Sequence, residues 1–131
     1  MQINASFGLG ESVVSGRVTA DSYIVDKSGN IVEIHIGSKE TQIIYGDQGT
    51  MEVAVSADKR KNRALNDREL SMLITYGLEI EKHYGLPMDI EWAIQNDVVY
   101  ILQARAITTL KNAVNTIAED DFVEKYIKGK K

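Results

Sequence analysis

The sequence predicts an α+β fold, an antiparallel β-sheet with flanking helices. Three observations point to it. Short alternating apolar runs recur through residues 2–56 with glycine or polar punctuation between them. Leu70, Leu73, Ile74, Gly77, Ile80 and Tyr84 then repeat at helical spacing. Finally, two more apolar runs between Pro87 and Arg105 bracket a polar interruption, Gln95-Asn96-Asp97.

Taken in order, residues 2–10 (QINASFGLG) read as a short strand entering a glycine turn. Glu11 to Gly16 (ESVVSG) reads as a helical turn closed by Gly16, since glycine takes the left-handed conformation at a helix C-terminus without a Cβ clash. Strands are expected at 17–26, 31–37, 40–46 and 50–56. Lys27-Ser28-Gly29-Asn30 and Gly46-Asp47-Gln48-Gly49 supply turn chemistry between them, which together suggests an antiparallel meander. The basic run Lys59-Arg60-Lys61-Asn62-Arg63 reads as a solvated linker. Asn66-Asp67-Arg68-Glu69 has the form of a helix start, and Gly85 and Pro87 end that helix. A last amphipathic segment, Glu119 to Ile127, buries Phe122, Val123, Tyr126 and Ile127 if helical.

Composition narrows the functional classes. A chain of 131 residues with 44% hydrophobic and 26% charged residues has the size and balance of one globular domain. The formal charge of −4 gives no electrostatic reason to expect nucleic acid or an anionic membrane as partner. With no cysteine, disulfides, thiolate catalysis and Cys-based zinc sites are excluded. No leader pattern and no apolar run of membrane-spanning length is seen, so the cytoplasm is the expected compartment. His35 and His83 stand far apart and in no metal-like spacing.

The final hairpin carries the chemistry. Asp89 and Glu91 share one strand face, and Gln103 and Arg105 share a face of the next strand. Whether the two pairs meet depends on the loop. A two-residue turn at Asn96-Asp97 pairs Gln95 with Val98 and sends Glu91 and Gln103 to opposite faces; a three-residue loop brings all four together. The three-residue loop is the expectation, with Asn96 or Asp97 supplying its left-handed residue. One face, with Trp92, then packs inward, while the other gathers two carboxylates, an amide and a guanidinium. Such oxygen ligands suit Mg²⁺, which takes carboxylates together with phosphate oxygens, and an arginine suits phosphate. The plainer alternative is a surface strand with a cross-strand Asp–Arg pair worth under about 1 kcal/mol.

Several ordered motifs give the chain a resemblance. "DIEWA", followed twelve residues after Glu91 by "LQAR" and Ile107-Thr108, resembles the ATP-binding domain of phosphoenolpyruvate synthase and pyruvate phosphate dikinase. The opening "INASFGLGESVVSGRVTADSY", Leu65-Asn66-Asp67 and "HYGLPMD" match the same domain in order, from about residue 2 to 110. The synthase branch fits better, and rifamycin phosphotransferases share the "LQ-R-IT" pattern. Ala106 and Ala20 stand where the family usually has proline, departures that affect backbone rigidity rather than ligands.

The resemblance implies the C-terminal lobe of an ATP-grasp fold over 1–118. It also implies that 119–131 is a helix and the start of a linker to a phosphohistidine domain. The implied reaction converts ATP, pyruvate and water to phosphoenolpyruvate, AMP and phosphate by way of a histidine on another domain. Glu91 and Gln103 correspond to ligands of Mg-ATP, Arg105 to a phosphate-contacting catalytic arginine, and Asp89 to an acidic neighbour. Glu11, after Gly8-Leu9-Gly10, is placed near metal or ribose, or else is simply an acid at a helix start. The first lobe, the phosphohistidine domain and the pyruvate-binding barrel have no counterpart here. The expectation is therefore a fragment holding half a nucleotide site and inactive alone. The alternatives are a stand-alone nucleotide-binding or regulatory module, or a piece of pyruvate phosphate dikinase or of a rifamycin phosphotransferase.

Overall fold

A computed structural model describes residues 1–16 and 18–107. The expected helix at Glu119 to Ile127 and the 119–131 linker lie outside the described residues. The chain divides into two compact units, Met1–Arg68 and Glu69–Lys131.

In the first unit, β1 (Gln2–Ala5), β2 (Asp21–Val25) and β3 (Ile31–His35) form an antiparallel sheet in the order β1-β2-β3. Pairing Ile3 with Tyr23 and Ala5 with Asp21 puts these four residues on one face, and all four are buried. Asn4 pairs with Ser22 on the other face. The turn into β3 is built as its residues suggest: Asp26 Oδ1 accepts the amides of Ser28 and Asn30, each at 2.9 Å, and Gly29 takes φ +89°. Those bonds, the Asn30 amide first, hold the Asp26 carboxyl below its ordinary pKa.

A second hairpin, β4 (Thr41–Gly46) with β5 (Gly49–Ala54), is a separate two-stranded sheet. The expected single meander is thus broken between β3 and β4, where a buried ion pair is anchored. Lys39, at φ +41°, turns the chain and points its ammonium at Asp21 Oδ1, with both side chains at 0% exposure. The same carboxylate accepts the amides of Gly37 (2.8 Å) and Ala64 (2.7 Å) and the Tyr23 hydroxyl (3.4 Å). The Lys39 ammonium also donates to Gly37 O at 3.2 Å. Burial, then the neighbouring Asp21 charge, push the Tyr23 phenol above its ordinary pKa. Strand 2 starts only at Asp21, four residues later than the sequence suggested.

Helix α1 (Glu11–Val14) is a single turn followed by Gly16 at φ +71°, as expected. The basic run, read as a linker, instead begins inside a short helix, α2 (Ala57–Lys61), because Ser56 Oγ accepts the Lys59 amide as an N-cap. The Lys59 ammonium lies 4.3 Å from the centre of the Phe7 ring, and Arg63 pairs with Asp67.

Helix α3 (Asp67–Tyr84) begins immediately after Asn66 and buries the six residues its periodicity marked. Gly85, at φ +72°, returns its amide to Glu81 O at 2.8 Å and closes the helix. Within the second unit, Ile80 and Tyr84 pack with Ala104 and with the flanking Leu86, Met88, Ile90 and Ile101. That cluster seats the hairpin of β6 (Met88–Gln95) and β7 (Val98–Ala106). Among the described residues no helix is long and apolar enough to cross a membrane.

Candidate functional site

The hairpin corrects one expectation and keeps its consequence. Gln95 pairs directly with Val98, so the loop has two residues, not three. Asn96 and Asp97 both take positive φ, +53° and +62°, the signature of a type I′ turn, whose twist matches that of the flanking strands. A regular ladder from that turn would set Glu91 opposite Leu102 and turn Gln103 toward the core. Instead the register shifts at Glu91/Trp92, and Gln103 becomes the partner of Glu91, with Asp89 opposite Arg105. One extra residue on β7 forms a β-bulge and does what the third loop residue was expected to do.

All four polar residues therefore project from the face opposite the Ile80–Tyr84–Ala104 cluster, and all four are exposed. Arg105 Nε lies 3.8 Å from Asp89 Oδ2, and Arg105 Nη2 lies 3.6 Å from Glu91 Oε1. These are long ion pairs between half-exposed groups, each worth under about 1 kcal/mol. Pairs this weak cost little to break, so a competing anion or cation could draw either partner away. Trp92 and Ile90 lie on the other face, as their parity required.

The donor chemistry fits Mg²⁺. Glu91 and Gln103 offer one carboxylate and one amide oxygen from directly paired positions, and Mg²⁺ commonly takes one or two carboxylates with its remaining sites left to phosphate and water. Among the described residues no group of three or more His, Cys, Asp or Glu side chains forms a closed metal cage.

Glu11 is exposed at the first position of α1, on the first unit, whereas the other four stand on the second. The glycine turn before it has a local cause. Gly8 takes φ +78°, and a Cβ there would come 2.5 Å from Ile43 O, while the Leu9 amide donates to that same oxygen at 2.8 Å. Close packing on β4 thus already requires glycine at position 8. His35 sits 2.6 Å from Glu33 on exposed β3, and His83 stacks edge-on against Tyr84 at 4.9 Å between ring centres.

The sequence reading missed the bulge at Leu102, although the requirement for one extra residue was countable from the polar pairs. It also missed the Asp21–Lys39 pair, for which no sequence signal exists: two residues 18 apart, each ordinary alone.

Comparison with known proteins gives concordant matches. The family model of the pyruvate phosphate dikinase AMP/ATP-binding domain matches residues 1–126. A probable phosphoenolpyruvate synthase of Methanocaldococcus jannaschii is 50% identical over 111 residues, 83% of this chain and 9% of that protein. One from Archaeoglobus fulgidus is 42% identical over 119 residues, 90% of this chain and 16% of the relative. A rifampicin phosphotransferase of Bacillus subtilis is 42% identical over 112 residues, 84% of this chain and 13% of the relative. The chain thus spans less than a fifth of the length of the relatives it matches.

Proposed function

The chain belongs to the pyruvate phosphate dikinase AMP/ATP-binding domain family, and from that premise we propose that its second hairpin forms one wall of an Mg-ATP site, in the manner of the C-terminal lobe of an ATP-grasp fold. The observation that carries this reading is the pairing of Glu91 with Gln103 and of Asp89 with Arg105 on one exposed face. Glu91 and Gln103 hold the magnesium-bound phosphates, Arg105 contacts a phosphate oxygen bidentately, and Asp89 steers the guanidinium until ligand arrives. Bound Mg²⁺ supplies charge neutralisation of the polyphosphate. These are positioning and electrostatic roles, and they make up most of what phosphoryl transfer asks of a protein.

In the whole protein, the site serves a phosphoenolpyruvate synthase-like reaction, ATP with pyruvate and water giving phosphoenolpyruvate, AMP and phosphate. The first ATP-grasp lobe and a phosphohistidine domain complete it, and the 131-residue chain alone does not turn over. A second reading is favoured by the relatives' names: synthases and a rifampicin phosphotransferase match the same stretch at comparable identity. Their acceptors differ, so choice of acceptor belongs outside this stretch.

Titration of Mg-ATP against the chain and its Glu91→Ala and Gln103→Ala variants tests the site. We expect weak, magnesium-dependent binding that each substitution reduces about tenfold, the loss of one charge-assisted contact. Binding that neither change affects, or that persists without magnesium, refutes the assignment.

A further inference from the structure

We propose that the free edge of β3 is a self-pairing surface, on which two copies of this chain join antiparallel about a two-fold axis at Ile34 and continue their sheets into one another. β3 ends the sheet order β1-β2-β3, and among the described residues no strand lies beyond it. Edges of this kind are usually blunted by lysine, by proline or by cover from another element. The stretch Ile31-Val32-Glu33-Ile34-His35-Ile36 holds neither residue, and all six positions are exposed. Val32 at 61%, Ile36 at 46% and Ile34 at 40% thus meet water along one strand, a cost that association relieves.

The hydrogen-bond alternation shows which backbone groups are available. Met1 and Val25 exchange both of their bonds, each at 2.8 Å, so Val25, Tyr23 and Asp21 turn N–H and C=O toward β1. Ser22 and Ile24 therefore turn theirs toward β3, to their partners His35 and Glu33. The Gly37 amide keeps the same alternation, donating to Asp21 Oδ1 at 2.8 Å. Ile34, between Glu33 and His35, is left with its N–H and C=O directed at the free edge. The register shift at Ile24/Val25 puts a bulge at Val32 and confines the regular ladder to the C-terminal half of β3.

Charge order points to a second copy as the occupant. An antiparallel copy reverses the order Glu33-Ile34-His35. With Ile34 opposite Ile34 of the other copy, Glu33 of each copy faces His35 of the other. Ile34 then forms a hydrogen-bonded pair with two N–H···O=C bonds, and the Glu33–His35 rungs are non-hydrogen-bonded pairs, whose side chains approach most closely. Both side chains are accessible, Glu33 at 56% and His35 at 65%, and they already lie 2.6 Å apart within one chain. A parallel copy in register would set acid against acid. An unrelated strand fits as well only if it carries an acid and a base flanking an aliphatic residue, the pattern this edge itself presents. So short a contact belongs with small, transient interfaces, with a dissociation constant of about 10–100 µM.

Sedimentation velocity of the 131-residue chain at neutral pH, over about 5–500 µM, should show a monomer–dimer equilibrium, and the Ile34 amide signal should shift with concentration. Ile34→Lys sets two ammonium groups opposite each other on the axis and should weaken association more than about tenfold with far-UV circular dichroism unchanged. Glu33→His and His35→Glu should each self-associate about three- to tenfold more weakly. A 1:1 mixture of those two variants should regain dimers, since every acid then faces an imidazole, a recovery that misfolding of either variant does not produce. Monomers throughout the range, the outcome if this edge receives a strand from a longer parent chain instead, overturn the proposal. Dimers as stable in Ile34→Lys as in the parent sequence, or variants that associate no better mixed than alone, overturn it as well.

Discussion

Replacing Lys39 by methionine should destabilise the first unit by about 3 kcal/mol, and replacing Asp21 by asparagine should cost more, about 4–5 kcal/mol. The difference comes from what each change leaves behind. Without Lys39, the Asp21 carboxylate keeps the amides of Gly37 and Ala64 at 2.8 and 2.7 Å and the Tyr23 hydroxyl at 3.4 Å. Three donors compensate a buried anion in part, which sets the loss at the low end of the range for breaking such a pair. With asparagine at 21, the wholly buried Lys39 ammonium keeps only neutral acceptors, Gly37 O at 3.2 Å and an amide oxygen, and the new NH2 group takes the place of an oxygen that accepted a backbone amide. A buried cation with neutral partners alone is the worse case. The double variant Asp21→Asn/Lys39→Met removes both charges and should recover about a third of the summed loss, a coupling of about 2–3 kcal/mol. Because domains of this size have a total stability of about 5–15 kcal/mol, either single change should be visible in a urea melt followed by far-UV circular dichroism. Amide exchange at Gly37 and Ala64 gives a local readout, since both N–H groups donate to Asp21. Single variants costing under about 1 kcal/mol each, or a double variant as unstable as their sum, would refute the reasoning.

Tyr23 makes stability pH-dependent at the alkaline end. Its pKa is raised on folding, so its contribution is complete below the unfolded value near 10.0 and is lost as pH rises through the higher folded value; Tyr23→Phe should flatten this alkaline limb in melts taken across pH 9–12. Gly8→Ala forces an alanine into φ +78° and its methyl against Ile43 O, which should cost about 3 kcal/mol in a denaturant melt; a change below about 1 kcal/mol would mean the turn moves freely. Asp97→Gly suits the second type I′ position better and should stabilise the hairpin by about 0.5 kcal/mol, raising its melting temperature while leaving the Glu91–Gln103 cross-strand contact intact by nuclear Overhauser effects.

Much of this fold is written in local pattern. Periodicity alone marks the buried face of α3, because a helix that must cover a core repeats its apolar residues every three to four positions. The hairpin turns are legible because Gly29 and Asn96 tolerate backbone conformations that other residues avoid. What is not legible depends on distant partners. Lys39 reads as one more surface lysine in Ser38-Lys39-Glu40, and only the folded chain shows its ammonium against Asp21. That contact sits where the backbone turns between β3 and β4 and one expected meander becomes two sheets. The basic run before α3 shows a milder form of the same difficulty: one serine cap and a ring under Lys59 decide for a short helix where charge density alone suggested a linker.

The candidate site shows a third kind of legibility, through arithmetic. Along a regular antiparallel ladder the indices of paired residues add to a constant. At the turn, where Gln95 meets Val98, that constant is one lower than at the polar rungs, where Glu91 meets Gln103 and Asp89 meets Arg105. One extra residue must therefore lie between the turn and the rungs if the four polar groups are to share a face, and the sequence leaves open whether the loop or a strand absorbs it. The turn settles the matter energetically. Asn96 and Asp97 together satisfy the two positive φ values of a tight I′ turn, which a longer loop would leave unused, so the surplus is pushed into β7. There it falls on Leu102, between the apolar and charged ends of one face. A loop of three residues would have aligned the same four polar groups, but without placing a leucine beside them. The face consequently differs in shape from the one parity alone required, and that difference gives the hairpin an apolar contact next to its ionic one.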